Sequence, residues 1–585
     1  GSVLSAVLAV QLFLQTSLPA ADGLPENVGP FAFRLDPLSG FVAFTVIVFA
    51  LLISVYSLGF MANQARQTAY YGLLLITVGF SCGAVLADNM LLLLAFWGTL
   101  AGTLYLMVLL AGPSAADAAK KSLIVVGGAD CLLMLGIAGV WVLTGEMTLS
   151  RAGVPLDSSL AHGAFLCFTA AAFAKAGAMP LHSWVPDCGE KAWIPVTAFL
   201  PASLDKLLGI YLLTRVVMDV FEMTPVMNGL LLLAGAATVV FGVMAALVQH
   251  DLKRLLSFHA VSQVGYMVLG LGTGTPVGIA GGLFHMLNNA IYKSCLFLCA
   301  GVVEKRTGTT DLDRLGGLGR LMPWTFGATL VASLAISGIP PLNGFASKWM
   351  VYQGLIETGR DGGRLWVIWL VAAMVGSALT LASFVKVLHA VFLRKPHPRF
   401  NGRTFRDAGL AMGIPVVVLA AVCIVFGVFP QALPLRGFIE PAVGWISFTG
   451  EWYAGTATLM LLAACAVGGL VYYIATATRT RITGTYIGGE NLDDTYIGDA
   501  PPVGADRDVE VTGVDFYRTI EEIGFLRGWY RLAQHHVFDL YHVGTQLIFY
   551  FVNALRAAHT GRLATYLPWL LAGLAIVVWL MCGGA

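Results

Sequence analysis

The chain has 585 residues, of which 57% are hydrophobic and only 11% carry a charge, and its mean hydropathy is +0.79. Soluble domains carry about 25% charged residues, so the composition excludes an ordinary soluble protein and predicts one that crosses a membrane many times. The net charge of +1 gives no reason to expect nucleic-acid binding. The nine cysteines lack the CxxC or Cys/His spacing of a zinc or iron–sulfur site.

Apolar runs long enough to cross a bilayer as helices recur along the chain. They lie near 2–20, 38–61, 68–87, 89–112, 119–144, 159–181, 192–215, 226–248, 253–272, 276–304, 322–357, 364–394, 408–430, 452–476 and 563–583. An all-α polytopic membrane protein with about fifteen transmembrane helices is therefore predicted. The first residues include neither a Met nor a basic segment, which argues against a signal peptide; the alternative is a trimmed start.

The run at 322–357 is long enough for one and a half crossings, and Gly338-Ile339-Pro340-Pro341 interrupts it. Because proline cannot continue a helix, one crossing by a broken helix is predicted. Counted once, this helix leaves all the basic loops on one side of the membrane, which the positive-inside rule makes cytoplasmic. These loops contain Arg66, Lys120 and Lys121, Lys253 and Arg254, residues 305–320 and 394–406, and Arg479 and Arg481.

The last hundred residues contain two stretches that are not simple crossings. Residues 477–514 are polar and rich in Gly and Asp, which predicts a cytoplasmic surface segment. From 515 to 560, apolar residues recur at helical spacing beside charged ones, as in a lateral amphipathic helix that lies on the membrane or on neighbouring helices. The alternative for 537–555 is a further crossing. Residues 561–585 are predicted to form a C-terminal anchor helix.

Two segments, FAKAGAMPLHSW and ISGIPPLNGFASKWM, are apolar helices interrupted at proline, each with one lysine near the break. They lie about five crossings apart, and an odd offset inverts the topology. Paired broken helices of this kind indicate a transporter built from two inverted repeats. The predicted parts are then N-terminal helices (1–61), a first half (62–215), a second half (216–430) and an additional helix (431–476).

Single ionisable residues lie inside about seven successive predicted crossings. Such groups are costly in hydrocarbon and usually functional. No GxSxG, HExxH or phosphate-binding loop surrounds them. Their spacing suits a proton path, because burial favours a neutral amine while a nearby carboxylate favours the ammonium. The candidate relay residues are Asp130, Lys175, Asp205, Lys206, His259, His285, Lys293, Lys348, Lys386 and His389.

Structural interpretations stay open for several polar residues. His259 and His389 fit relay members and hydrogen-bonded core histidines equally well. Residues 250–254 are expected to be solvated anchors at a helix start. Asp36 and Asp88 fit helix caps or interface residues.

Six motifs recur in order along residues 30–430: FRLDPLSGF (33–41), KAGAMPLHSWVPD (175–187), HDLKRLLSFHAVSQVGYMVLGLG (250–272), LFHMLNNAIYKSCLFLCAG (283–301), LDRLGGLGRLMP (312–323) and SGIPPLNGFASKW (337–349). With these motifs the chain resembles the antiporter-like, proton-conducting subunits of respiratory complex I, membrane-bound hydrogenases, formate hydrogenlyases and Mrp-type sodium/proton antiporters. The C-terminal stretch loosely resembles the lateral helix and anchor of the longest such complex I subunit.

The resemblance implies roles for the lysines. Lys175 occupies the position of the family's proton-loading lysine, and Lys293, with His285 before it, occupies that of the central connecting lysine. Lys348 occupies the position of the terminal lysine. Asp130 matches an aspartate in the helix before Lys175.

A carboxylate expected by this resemblance is missing. The family usually has glutamate after the tryptophan of one helix, where this chain has Gly98. Either Asp130 or Asp205 takes its place beside Lys175, or this half-channel does not couple in the usual way.

Other departures concern single positions. Lys206 is offset by about one residue from a lysine or histidine position of the family. Asn289 replaces a second histidine and cannot carry a proton at neutral pH. Trp349 follows the terminal lysine, as on the hydrogenase and Mrp side of the family. One apolar run precedes FRLDPLSGF where the family normally has two.

The resemblance therefore implies a subunit that translocates protons, or sodium ions, within a redox-driven complex, with a hydrogenase or formate-oxidising type favoured over a quinone-reducing one. Iron–sulfur, nickel or flavin groups are expected in partner subunits and none in this chain. The implied partners are other membrane subunits and a peripheral redox arm, in the cytoplasmic membrane of a bacterium or archaeon. The alternatives are a subunit of a multisubunit Na+/H+ antiporter and a non-pumping scaffold subunit.

Overall fold

The computed structural model describes residues 31–360, 362–397, 400, 405–444, 446–448, 453–479, 513–559, 561 and 563–582. The predicted helix at 2–20 and residues 480–512 of the polar segment lie outside them. The chain divides into two units, 1–519 and 520–585.

The first unit is a bundle of helices. In chain order these are α1 (Pro37–Phe60), α2 (Gln67–Leu86), α3 (Met90–Leu109), α4 (Pro113–Thr144), α5 (Ser159–Ala176), α6 (Trp184–Lys191), α7 (Ile194–Val220), α8 (Pro225–Leu247), α9 (Leu252–Gly272), α10 (Pro276–Thr307), α11 (Pro323–Ser337), α12 (Asn343–Arg360), α13 (Trp366–Leu393), α14 (Leu410–Val428), α15 (Glu440–Val443) and α16 (Ala454–Arg479). The short helix α17 (Arg518–Glu521) contains the boundary between the two units. A parallel pair of two-residue strands, β1 (Val154–Pro155) and β2 (Phe221–Glu222), joins two loops, with Val154 opposite Phe221.

Eleven of the described helices are long and apolar enough to cross a membrane, and three shorter apolar helices lie at Pro323–Ser337, Gly455–Val471 and Tyr566–Met581. The predicted all-α polytopic fold is therefore confirmed, while about fifteen crossings stays a prediction. The helices α7, α9 and α10 are the most enclosed, because their apolar stretches are 100%, 94% and 100% buried. The ionisable side chains of Asp205, Lys206, His259, His285 and Lys293, which lie on these three helices, are at most 1% exposed.

Side-chain contacts bring the basic loops together at one end of the bundle. Arg394 Nη2 donates to the backbone oxygen of Asp313, at 3.4 Å, so the loops before α11 and after α13 meet. That contact requires α11 and α12 together to cross once, as the broken-helix prediction states. Further contacts at this end join Arg66 to Leu110, Lys121 and Arg254 to Asp187, Lys253 to Glu304, and Arg306 to Asp407. The positive-inside rule predicts that this end is cytoplasmic, and it is called the cytoplasmic end below.

Both predicted helix breaks are present. α5 ends at Gly177 and α11 ends at Gly338, where φ is 75° and 81°. Glycine adopts this left-handed conformation without a Cβ clash, and the prolines that follow cannot donate the next helical hydrogen bond. The last carbonyls of α5 and α11 consequently lose their helical partners inside the bundle.

The second unit differs from its prediction. The amphipathic stretch is not one continuous helix over 515–560, because α18 (Gly524–Gln534) and α19 (Leu540–Ala558) are separate. His536 has a φ of 57°, which α-helices exclude, and Asp539 caps α19 by accepting from Tyr541 N at 3.0 Å. α19 is not among the described helices that are apolar enough to cross a membrane. The final helix is α20 (Leu563–Cys582).

Candidate functional site

Lys175, on the last turn of α5, has a buried carboxylate beside it. Its Nζ lies 3.5 Å from Oδ1 of Asp205, and the two side chains are 0% and 2% exposed. Asp205 follows a π-helical turn, Leu200–Leu204, which changes the side chains that α7 presents to α5. Asp130 on α4 also interacts electrostatically with Lys175, without a direct ion pair. Of the two acids left open by the sequence, Asp205 is the one in contact.

The position of the missing glutamate, Gly98, follows Trp97 on α3. Trp97 is fully buried, and its ring centre lies 5.6 Å from Nζ of Lys175. A Cβ added to Gly98, however, would meet no atom of the chain within 4 Å. The carboxylate next to Lys175 is therefore supplied from α7, not from α3.

An ammonium group binds the free carbonyls at both helix breaks. Lys206 Nζ donates to the oxygen of Ala176 at 3.1 Å, and Lys348 Nζ donates to that of Ile336 at 2.8 Å. These oxygens lie at the C-terminal ends of α5 and α11, where the helix dipole favours a cation. Lys348 also lies over the ring of Tyr266, at 4.7 Å. The two breaks thus share one arrangement although the residues around them differ.

Lys293 occupies the centre of the bundle. Its Nζ donates to the oxygen of Leu256 at 2.9 Å and lies 5.7 Å from the ring centre of Phe384. His259, one turn along α9 from Leu256, shares a hydrogen bond of 2.7 Å with Ser383 through Nε2. Its Nδ1 is buried and has no hydrogen-bond partner in the described part of the chain. Only one of the two ring nitrogens of His259 therefore has a hydrogen-bond partner among the described residues, which favours a relay role over a purely structural one.

His285 is hydrogen-bonded on both ring nitrogens. Nδ1 contacts Ser347 Oγ at 2.9 Å, and Nε2 contacts Gln263 Oε1 at 3.1 Å and Tyr292 OH at 3.3 Å. The Ser347 contact links His285 to the residue before Lys348. Asn289, one turn further along α10, donates to the oxygen of Ala202 at 3.4 Å.

Lys386 marks the cytoplasmic end of the candidate residues. Its Nζ donates to the oxygens of Leu247 and Gln249 at 2.8 and 2.9 Å and lies 4.7 Å from the ring centre of Tyr517. The Tyr517 hydroxyl is 2.9 Å from Nε2 of His250. The prediction that His250 is a solvated anchor is incomplete, since this histidine joins Tyr517 to the bundle. No local pattern indicates that contact, because Tyr517 lies far along the chain.

His389 begins a π-helical turn, His389–Leu393, one turn beyond Lys386. Among the described residues, its buried Nδ1 has no hydrogen-bond partner. This feature is shared with His259 and favours a relay role for the same reason.

Electrostatic interactions connect the candidates from α4 to α13. They link Asp130 to Lys175, Asp205 to Lys175 and Lys206, Lys293 to Lys206 and Lys348, His285 to Lys348, and His259 to Lys293, Lys348 and Lys386. Among the described residues, no three His, Cys, Asp or Glu side chains lie together as a metal site.

The end opposite the cytoplasm carries a separate charge cluster. Arg215 pairs with Asp36 at 2.7 Å and with Asp219 at 2.8 Å. Asp36 also caps α1 by accepting from Ser39 N at 2.8 Å, which confirms its cap interpretation. Burial raises the pKa of Asp36, but the hydrogen bond and charge of Arg215 outweigh it and lower the pKa to about 2. The FRLDPLSGF motif therefore has a structural role, because its Asp36 caps α1 and pairs with Arg215.

Broken apolar helices around buried lysines define a multi-pass, antiporter-like membrane protein. The family model described as "NADH:quinone oxidoreductase/Mrp antiporter, TM" matches residues 87–380, half of the chain. The model "NADH-Ubiquinone oxidoreductase (complex I), chain 5 N-terminus" matches residues 28–71. The chain therefore belongs to the NADH:quinone oxidoreductase/Mrp antiporter family, as the sequence motifs predicted.

Relatives in this family serve different complexes. The chain is 30% identical to Na(+)/H(+) antiporter subunit A1 of Staphylococcus haemolyticus, over 74% of this chain and 56% of the relative. It is 31% identical to F(420)H(2) dehydrogenase subunit L of Methanosarcina mazei, over 69% of this chain and 64% of the relative. The chain thus spans less than two thirds of either protein. Its fold is similar to a chain of the membrane-bound sulfane sulfur reductase, an archaeal respiratory membrane complex, with a TM-score of 0.77, 23% identity, and coverage of 99% and 95%.

Proposed function

We propose that this chain is a proton-translocating membrane subunit of a larger complex. The observation that carries the proposal is the electrostatically connected series from Lys175 to Lys386, in which each buried ammonium contacts a carboxylate, a carbonyl or an aromatic ring. A lysine held between desolvation and such partners changes protonation when a partner moves.

Neighbouring lysines in this series repel each other when both are charged, so a change of charge at one lysine affects the next. Lys293 interacts with both Lys206 and Lys348, and all three side chains are buried. In a low-dielectric interior the loading of one ammonium disfavours charge on the next. A displacement of Asp205 from Lys175 would therefore move protons further along the series.

Replacement of Lys293 tests this function. Lys293→Ala is expected to abolish proton transport through this subunit while the complex still assembles, because it removes the one amine between Lys206 and Lys348. Lys120→Ala is the matched control, since Lys120 is 60% exposed and pairs with Asp117 at the surface. Wild-type transport in an assembled Lys293→Ala complex would refute the relay and favour a scaffold role.

We further propose that the complex contains other membrane subunits and a peripheral redox arm carrying iron–sulfur, nickel or flavin groups, in the cytoplasmic membrane of a bacterium or archaeon. The similarity to F(420)H(2) dehydrogenase subunit L supports the redox arm. A second candidate, a subunit of a Na+/H+ antiporter, is favoured by the similarity to antiporter subunit A1. Both relatives come from prokaryotes.

Purification of the native complex in mild detergent separates these two functions. Nickel together with iron would indicate a hydrogenase-type arm, and iron with flavin but no nickel would indicate a dehydrogenase-type arm. Copurification with small membrane proteins alone, without metal, would support the antiporter and contradict the redox-driven assignment.

A further inference from the structure

Gly513, Val514 and Tyr517 lie at the cytoplasmic end of the lysine series. Val514 and Tyr517 are 0% and 5% exposed. The ring of Tyr517 lies over Nζ of Lys386 at 4.7 Å, and a Cβ on Gly513 would lie 3.3 Å from Nδ1 of His389. A segment distant in sequence therefore packs on both last candidates of the relay.

Two surface residues hold the Tyr517 ring in this place. The Tyr517 hydroxyl is 2.9 Å from His250 Nε2, and His250 Nδ1 lies 2.7 Å from Oδ2 of Asp313. The side chains of His250 and Asp313 are 41% and 47% exposed, so this chain of contacts leads from Lys386 to the cytoplasm. The hydrogen bond to His250 lowers the pKa of Asp313 below its ordinary value, which keeps Asp313 ionised as an acceptor at neutral pH.

Groups of the bundle also face Lys386. Leu247 and Gln249 accept hydrogen bonds from its ammonium through their backbone oxygens. The charged or titratable groups that interact with it include His259, within the bundle, and Asp313, at the surface. The ring of Tyr517 lies over this ammonium and joins it to the surface residue His250.

We propose that Tyr517 is a positioning residue that closes the cytoplasmic end of the proton path over Lys386, and that His250 and Asp313 hold it closed. The inference rests on the proposed proton-translocating function. Movement of the ring opens Lys386 to cytoplasmic water, and its return separates the loaded lysine from that water. A cation–π contact stabilises the closed position, and the hydroxyl bond to His250 adds to it.

Passive proton leak through the complex tests the closure. The complex is reconstituted in liposomes, a pH gradient is imposed without the driving reaction, and the decay is followed with a pH-sensitive dye. Tyr517→Phe keeps the ring but loses the bond to His250, so the leak is expected to rise about fivefold, the factor for one net hydrogen bond. His250→Ala is expected to give the same rise. Tyr550→Phe, at a tyrosine that is 72% exposed, is the control.

Double variants distinguish closure from a general loss of structure. Tyr517→Phe combined with His250→Ala is expected to leak no more than either alone, because both remove one bond. Tyr517→Ala is expected to leak most, and adding Lys386→Gln should restore wild-type tightness if the leak passes through Lys386. Additive leaks in the first double variant, or a leak that persists without Lys386, would overturn the proposal.

The outcome is independent of the Lys293 experiment. If Lys293→Ala abolishes transport while Tyr517→Ala stays as tight as wild type, the closure is refuted and the relay stands. If Lys293→Ala transports normally, the relay itself fails.

Discussion

The buried pair of Lys175 and Asp205 allows the sharpest prediction. Asp205→Asn keeps the size of the side chain and removes its charge, which leaves an ammonium in a site that excludes water. Removal of one partner of a buried ion pair costs about 3–5 kcal/mol. If this free energy is added to the barrier of the step that protonates Lys175, proton transfer slows by at least about 100-fold. Asp130→Asn removes only a longer-range interaction, so a decrease of about fivefold is expected.

The assay is proton uptake by inverted vesicles under the driving reaction, with equal amounts of assembled complex. A larger defect in Asp130→Asn than in Asp205→Asn would refute the assignment of Asp205 as the partner of Lys175.

Two further predictions concern packing and the opposite end. Gly209→Ala would place a Cβ 2.5 Å from the backbone nitrogen of Ala176 and so push α7 away from the break in α5, so proton transport is expected to fall. Gly229→Ala is the control, because its Cβ would meet no atom within 4 Å, and this variant should transport protons normally. The pKa of Asp36 is about 2 in the folded chain against 3.8 ordinarily, so its stabilisation, about 2 kcal/mol, is complete above pH 3.8 and lost as the pH falls toward 2. Asp36→Asn should lower the unfolding temperature at pH 7 and lower it less near pH 3; an equal difference at both pH values would contradict this.

The helix breaks were predictable because local rules decide them. Gly338 followed by two prolines cannot continue α11, whatever packs around it. The positive-inside rule likewise uses only the charges of each loop, and it predicts on which side of the membrane that loop lies. The buried lysines were also recognisable, since an amine in an apolar run has few structural reasons to be there.

Contacts between distant segments could not be predicted in the same way. Asp130 and Asp205 were equal candidates. The irregular turn before Asp205 contains Pro201, which signals an interruption of the helix but not the direction in which the following side chains point. The approach of Tyr517 to Lys386 depends on tertiary packing alone. The break in the C-terminal amphipathic stretch occurs at His536, where neither glycine nor proline marks a left-handed residue.

The most direct test of the central claim is the number of protons moved per turnover of the driving reaction, measured in vesicles for wild type, Lys293→Ala and Lys120→Ala. A series of buried lysines predicts that the ratio falls in Lys293→Ala by the share that this subunit carries and is unchanged in Lys120→Ala. An unchanged ratio in fully assembled Lys293→Ala complexes would show that protons do not pass through this chain.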